Sequence, residues 1–203
     1  MKRYLISVAI GVILVLLALS VGVQSVRSLL FQPFGVRASS QTVVKQLKEL
    51  SRLETASFTI EKIIEAGKEE KNPFVDFLFG DKLLLIAHGQ VIAGFDLSKI
   101  SEKDVDVTGA TIRITLPPPQ ILITSLDNTQ TKVYDKRQGL LSNRGKDLES
   151  DARIAAEKEI TTSACKDNIL SEASKNAEKQ LTSLFKTLGF TTVLVEIPNG
   201  TCQ

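Results

Sequence analysis

The segment between residues 82 and 119 contains the strongest β-strand signals in this chain. Residues 82–88 and 90–95 are apolar runs separated by one glycine, and residues 110–116 alternate apolar with polar side chains before a run of three prolines. A period of two is typical of a half-buried strand, and proline ends a strand because it has no N–H to donate. The sequence therefore predicts that these segments are antiparallel neighbours in one sheet.

Three other segments have helical periodicity: residues 42–53, 146–165 and 169–188. In each of them apolar side chains recur every three or four residues, which is the spacing of an amphipathic helix with one buried face. We expect the first helix to cover the sheet. Further strands are predicted at residues 55–65, 129–135 and 191–197. Because strands dominate the first half and helices the second, the sequence predicts an α+β fold in which helices cover an antiparallel sheet.

Residues 5–23 form an uncharged apolar run of 19 residues. About 20 apolar residues are needed for a helix to span the hydrocarbon core of a bilayer, so this run predicts an N-terminal transmembrane helix. Lys2 and Arg3 precede the run and Arg27 follows it, which favours a cytoplasmic N-terminus. The alternative is a cleaved signal peptide with a small-residue site at residues 18–20, but the run is longer than the usual signal core.

This topology divides the chain into three parts. Residues 1–26 are the expected membrane anchor, residues 27–40 a tether, and residues 41–203 an extracytoplasmic α+β domain. We therefore expect a single-pass protein of the cell membrane that contacts the lipid bilayer through residues 5–23. After residue 37 the chain has 21 basic and 23 acidic side chains. Such a balance lacks the clustered positive charge that phosphate binding requires, so we expect no nucleic-acid partner.

Four apolar side chains are concentrated in a short segment that follows a charged loop: Phe74, Phe77, Leu78 and Phe79. One interpretation is a flap that closes the hydrophobic core, because each phenylalanine can bury about 150 Å² or more. The other is an exposed surface for the membrane or for a partner subunit, because large apolar patches on soluble surfaces usually mark interfaces. The sequence leaves both interpretations open.

The chain offers two weak candidates for catalytic residues, His88 and Asp96. Histidine suits acid–base chemistry, but a general base needs a nucleophile or a substrate proton within hydrogen-bond reach, and the sequence supplies no such partner. The alternatives are a structural or solvent-facing His88 and an Asp96 that stabilises a turn. The sequence has no phosphate-binding loop, nucleophile elbow or Cys/His cluster, so we expect no cofactor and no bound metal.

Cys165 and Cys202 are the two cysteines of the chain. Disulfides persist in oxidising compartments, and the domain is expected outside the cytoplasm, so we predict that these two residues form a disulfide. The bridge would tie the C-terminal tail to the first of the two long helices. The alternative is a buried free Cys165 with an incidental tail thiol, because the sequence does not fix the separation of the two Cα atoms.

The order of several motifs resembles an uncharacterised bacterial family, the domain of unknown function 4230. The most specific pieces are the segment from Gly89 through AGFDL at residues 93–97 and the strand end LPPP at residues 116–119. The resemblance runs from about Leu53 to Ile197 and implies a single-span membrane protein with an extracytoplasmic domain. It implies no activity and no catalytic residues.

Two classes of function remain. The favoured hypothesis is a non-catalytic binding or scaffolding module at the cell envelope, which acts through an envelope protein partner or through self-association. The alternative is an envelope enzyme, such as a hydrolase, whose site is assembled from dispersed residues including His88 and Asp96. A structure distinguishes the two, because it shows whether these side chains converge.

Overall fold

The structure, a computed structural model, describes residues 39–68, 71–142 and 147–202. The expected transmembrane helix at residues 5–23 and the tether up to residue 38 lie outside the described residues. Within those three described ranges, no helix is both long enough and apolar enough to cross a membrane. The described residues form the mixed α+β architecture that the sequence predicts.

Four α-helices and seven strands make up the described part of the chain. In chain order they are α1 (Ser40–Glu49), β1 (Arg52–Lys68), α2 (Pro73–Phe79), β2 (Asp81–Asp96), β3 (Val105–Thr108), β4 (Thr111–Thr115), β5 (Gln120–Leu126), β6 (Lys132–Arg137), α3 (Asp147–Lys166), α4 (Ile169–Thr187) and β7 (Thr192–Glu196). Two short 3-10 helices, Leu97–Lys99 and Glu102–Asp104, connect β2 to β3. The first helix ends earlier than the sequence predicts, because Ser51 has a positive φ of 57° and the chain enters β1 at the next residue.

β2 is the centre of a four-stranded antiparallel sheet. On one side it pairs with β1 over its whole length, from Asp96 opposite Arg52 to Asp81 opposite Lys68. On the other side β5 pairs with residues 89–94 and β6 with residues 82–86. The runs 82–88 and 90–95 are therefore one continuous strand, and the prediction that they are neighbouring strands is wrong.

Helices α3 and α4 cover one face of this sheet. Alternate side chains of β2, from Leu83 to Ala93, point into the interface and are fully buried. The helix residues that belong to the same core are small or aliphatic: Leu148, Ala152, Ala156, Ile160, Ala164, Ile169, Leu170 and Ala173. Because alanine occupies little volume, the helices lie close to the sheet, which confirms the small packing face expected for the first long helix.

Gly89 lies in the middle of β2 and does not form a turn. A Cβ atom at this position would lie 2.7 Å from Cδ1 of Ile160 on α3 and 3.0 Å from the Ser125 carbonyl oxygen. The glycine therefore makes room for a large side chain of the covering helix, which is a common reason for glycine inside a strand. This contact explains why an apolar strand is interrupted by one glycine without ending there.

A second, three-stranded sheet holds β3, β4 and β7. β4 pairs with β3 in antiparallel and with β7 in parallel orientation. The prediction that residues 110–116 belong to the same sheet as residues 82–95 is wrong, because β4 pairs only with β3 and β7 among the described strands. The prolines at 117–119 follow β4, and the chain then enters β5 of the large sheet. The main contacts of α1 are with β3 and the two 3-10 helices, so its buried side chains Val43, Val44 and Leu47 pack mainly beside the small sheet, whereas the sequence predicts that this helix covers the large one.

Candidate functional site

The loop that closes the β1–β2 hairpin is folded into helix α2. The hairpin is long, because β1 has 17 residues. At about 3.3 Å per residue, α2 lies roughly 50 Å from Arg52, which follows the end of α1 by three residues. Within the described domain, α2 therefore lies at the end of the hairpin opposite to Ser39, where the described chain begins.

Local sequence explains why a helix forms at the hairpin end. Asn72 is the N-cap, and its side-chain oxygen accepts a hydrogen bond from the Phe74 N–H at 3.0 Å. Pro73 occupies the first helical position, where no N–H is needed. Gly80 ends the helix and donates its N–H to the Asp76 carbonyl at 2.7 Å. These signals fix both ends of a helix of seven residues.

The phenylalanines of α2 are exposed. The exposed fraction is 69% for Phe74, 61% for Phe77 and 52% for Phe79, whereas Leu78 is half-buried. No residue of α2 is fully buried. The interpretation of this segment as a flap that closes the core is therefore wrong. Val75 and Leu78 lie about one turn apart and form the half-buried side of α2. The three phenylalanine rings do not lie on this side and are exposed.

Two leucines extend this apolar surface from another part of the chain. Leu140 and Leu141 are 71% and 62% exposed. Their backbone N–H groups donate to the carbonyl oxygens of Phe77 and Leu78 at 3.2 and 2.8 Å, so the segment after β6 is bound to the C-terminal half of α2. We call the exposed side chains of Phe74, Phe77, Phe79, Leu140 and Leu141 the aromatic tip.

A buried carboxylate lies beneath the aromatic tip. Asp81 is only 4% exposed, and it accepts hydrogen bonds from the Gly139 N–H at 3.1 Å and from the Ser142 hydroxyl. An ion pair between Asp76 and Arg137, with a distance of 2.8 Å, adds a second connection between α2 and the end of β6. Polar groups thus hold the tip together from inside while its apolar groups face outward, which is the reverse of ordinary core packing.

Gly139 is the position of closest approach between the two segments. A Cβ atom there would lie 2.7 Å from the Leu78 carbonyl oxygen and 2.8 Å from the Phe79 nitrogen. Only a residue without a side chain fits this gap. The backbone of residues 139–142 can therefore pack directly on the end of α2 and present the two leucines beside the phenylalanines.

Charged side chains of both signs surround the aromatic tip. Among the described residues of the hairpin end and of β6, five are basic and four are acidic: Lys71, Lys82, Lys132, Lys136 and Arg137 against Glu65, Asp76, Asp81 and Asp135. Lys82 is paired with Glu65 at 2.6 Å, and Arg137 is paired with Asp76 at 2.8 Å. The charges around the tip are therefore nearly balanced.

His88 and Asp96 do not come together. They are eight residues apart on β2, which at about 3.3 Å per residue separates them by roughly 25 Å. His88 Nε2 lies 2.6 Å from a carboxylate oxygen of Glu61, its cross-strand neighbour on β1. No nucleophilic side chain is hydrogen-bonded to the His88 imidazole among the described residues.

Asp96 stabilises the turn at the end of β2. Its carboxylate accepts hydrogen bonds from the Ser98 N–H at 3.2 Å and from the Ser98 hydroxyl at 2.5 Å, and Lys99 Nζ lies 3.3 Å away. The bond from the Ser98 hydroxyl is the main reason why the pKa of Asp96 is lowered. The turn role is therefore confirmed for this residue.

An open cleft of about 330 Å³ adjoins Asp96 and is lined also by Arg52, Ser98 and Gln120. The Asp96 carboxylate is already hydrogen-bonded to Ser98, and no cysteine or histidine lines the cleft. Within residues 39–68, 71–142 and 147–202, no group of three or more His, Cys, Asp or Glu is arranged to hold a metal ion. Among the described residues, the cleft thus has no histidine or cysteine and no group that could hold a metal ion.

The predicted disulfide between Cys165 and Cys202 is confirmed. The two Cα atoms are 6.1 Å apart, within the usual range for a disulfide. Cys165 lies in the last turn of α3, and Cys202 follows β7 by six residues, so the bond ties the tail to the junction of α3 and α4. A cleft of about 380 Å³ lies beside this bond and is lined by Pro119, Asn168 and Asn199 among others.

Only part of the aromatic tip is visible in the sequence. The pattern identifies the phenylalanines, but it does not connect them to Leu140, Leu141 or Asp81, which come from other segments. The one available signal is a pair of adjacent leucines after Gly139 that fits neither a helical nor a strand period.

Comparison with known proteins identifies a family and no activity. A family model with the description "Protein of unknown function (DUF4230)" matches residues 45–195. No curated protein and no solved structure matches the chain. The matched region contains the aromatic tip, the buried Asp81 and nearly all of both sheets, but the family description names no activity.

Proposed function

This chain belongs to the DUF4230 family of proteins of unknown function, and on that premise we propose that it is a membrane-tethered, extracytoplasmic and non-catalytic contact module. Residues 5–23 tether it to the cell membrane, and its aromatic tip binds a surface of the cell envelope. The single observation that carries this proposal is the outward display of three phenylalanines and two leucines on a fixed scaffold.

The aromatic tip has the properties of a binding surface. Each of the three rings is more than half exposed, and burial of an exposed phenylalanine contributes roughly 1.5–3 kcal/mol. The tip is also rigidly connected, because Asp81, Gly139 and the Asp76–Arg137 pair hold α2 and residues 139–142 together. A pre-formed surface loses little conformational entropy on binding, so less of the burial energy is offset by the cost of ordering the tip.

The tether prediction supports the same function. An uncharged run of 19 residues precedes the domain, and membrane attachment concentrates a binding surface near other envelope components. The disulfide also fits an oxidising compartment. The alternative of an envelope hydrolase loses its two candidate residues, because His88 and Asp96 are about 25 Å apart on one strand.

The proposal is tested by chemical cross-linking of the full-length protein in its native membrane. We expect the double variant F77S/F79S to lose the cross-linked species that the unchanged protein forms. A matched control is I154S/L184S, which removes two exposed apolar side chains from α3 and α4. Both variants should melt within about 2 °C of the unchanged protein, because exposed side chains contribute little to stability.

Two results contradict the proposal. One is a cross-linking pattern that is the same in F77S/F79S and in the unchanged protein. The other is an equal loss of cross-linked species in F77S/F79S and I154S/L184S, which would show that any exposed apolar side chain produces the effect.

A further inference from the structure

We infer that the partner of the aromatic tip is a second copy of this chain. This inference rests on the proposed function and names the partner of the same site. Three properties of the tip favour a symmetric dimer: the apolar area that it exposes, the near balance of the charges around it, and the contacts that hold it in one shape.

The exposed apolar area of the tip is large enough for a dimer. The three phenylalanines are 69%, 61% and 52% exposed, and at about 150–250 Å² for a whole side chain they offer roughly 360 Å² per copy. Leu140 and Leu141, at 71% and 62%, add roughly 160 Å² when each side-chain carbon counts for about 30 Å². Contact between two tips therefore buries roughly 1,000 Å² of apolar surface, which is about the minimum for a specific interface.

The charges around the tip allow two copies to meet. With the buried Asp81 counted, five basic and four acidic described side chains belong to this end. Two of each sign are already joined in the pairs Lys82–Glu65 and Arg137–Asp76. A nearly neutral surface is repelled little by its own copy, and salt screens the remainder beyond about 8 Å. A strongly charged partner, in contrast, gains little here.

The distribution of apolar and polar groups is that of a homodimer interface. Such interfaces have an apolar centre, rich in aromatic side chains, and a polar rim. The tip has this arrangement, because three phenylalanines and two leucines face outward and ion-paired side chains lie beside them. In a twofold dimer each copy contributes the same surface, so every stabilising contact occurs twice.

The tip is already formed before any partner binds. Asp81 accepts hydrogen bonds from the Gly139 N–H and from the Ser142 hydroxyl, and these bonds hold residues 139–142 beside α2. The leucines and the phenylalanines are therefore presented together in both copies. A surface that needs no ordering can bind an identical surface without a prior change of shape in either copy.

Sedimentation equilibrium of the purified full-length protein in mild detergent tests the inference. We expect the unchanged protein to be a dimer and F77S to raise the dissociation constant by roughly a hundredfold, because each dimer loses two rings and each ring contributes about a factor of ten. I154S is the matched control, because Ile154 on α3 is 65% exposed and Phe77 is 61% exposed. This control should have the dissociation constant of the unchanged protein, and both variants should melt within about 2 °C of it.

Co-expression of two differently tagged copies provides a second measurement. Capture of one tag from solubilised membranes should also recover the other tag for the unchanged protein and for I154S. The double variant F77S/F79S removes four rings per dimer, so the second tag should be lost.

The inference is overturned if the purified protein is monomeric and the two tagged copies do not co-purify, or if F77S and I154S have equal dissociation constants. The proposed function fails separately. If the purified protein is monomeric while F77S/F79S still loses its cross-linked species in native membranes, the tip binds a different component of the envelope, and only the second copy is the wrong partner. Cross-linking that is unchanged in F77S/F79S contradicts the proposed function itself.

Discussion

Removal of the Cys165–Cys202 disulfide should destabilise the domain mainly through the unfolded state. Residues 197–202 are exposed or only half-buried, so replacement of Cys202 by serine removes few native contacts. The bond nevertheless closes a loop with a sequence separation of 37 residues. In the unfolded chain this cross-link restricts the accessible conformations, and its loss increases the entropy of that state.

The size of the effect follows from the loop length. For a loop of this length the chain-entropy relation gives about 13 cal/mol/K, which is about 4 kcal/mol at 25 °C. Residual structure in the unfolded chain lowers this value, so it is an upper bound. For a domain of this size, 1 kcal/mol corresponds to about 2–4 °C in the melting temperature, so we expect a decrease of about 10 °C.

Urea and thermal unfolding of C202S and of C165S/C202S provide the assay, with the unchanged protein measured with and without reductant. If the bond acts as a cross-link, the free energy of unfolding falls by the same amount in C202S and in C165S/C202S. Reductant should lower the free energy of unfolding of the unchanged protein by that amount and should have no effect on the two variants. The urea m-value should rise in both variants, because the unfolded chain exposes more surface without the cross-link. Equal stability of the oxidised and reduced protein would refute the reasoning. A larger loss in the double variant than in C202S would show instead that packing of Cys165 is responsible.

Three further predictions concern single residues. G139A should lower the free energy of unfolding by about 1–3 kcal/mol in urea, because its Cβ would lie 2.7 Å from the Leu78 carbonyl oxygen, and unchanged stability would show that the tip adjusts freely. NMR titration of Asp127 should give a pKa of about 2, lowered from 3.8 mainly by the hydroxyl of Thr129. The pKa of Asp127 is lower in the folded than in the unfolded protein, so its stabilisation is present above about pH 3.8 and is lost as the pH falls through 2. The substitution D127N should abolish this part of the pH dependence of stability. H88A should change the free energy of unfolding by less than about 1 kcal/mol, because His88 belongs to a partly exposed surface pair, and a larger loss would give this residue a structural role that its contacts do not show.

The sequence was sufficient for those features that depend on neighbouring residues. The two long helices at residues 147–166 and 169–187 follow from apolar spacing, and the strands of the first half follow from alternation. The disulfide followed from an even cysteine count and the expected compartment. Each of these features is encoded within a short segment or in composition, so it is visible without knowledge of the fold.

The tertiary structure decided pairing and exposure, because both depend on residues distant in the chain. Gly89 lies inside a strand because the side chain of Ile160, on a helix far along the chain, occupies the position that a Cβ atom would take. Residues 111–115 join the small sheet because β7, the last strand, pairs with them in parallel. The phenylalanines of α2 are exposed because Val75 and Leu78 take the inward side of the helix and because Asp81 holds residues 139–142 against its end. An apolar cluster has the same sequence pattern whether it closes a core or faces a partner, so only the surrounding structure determined that this one faces outward.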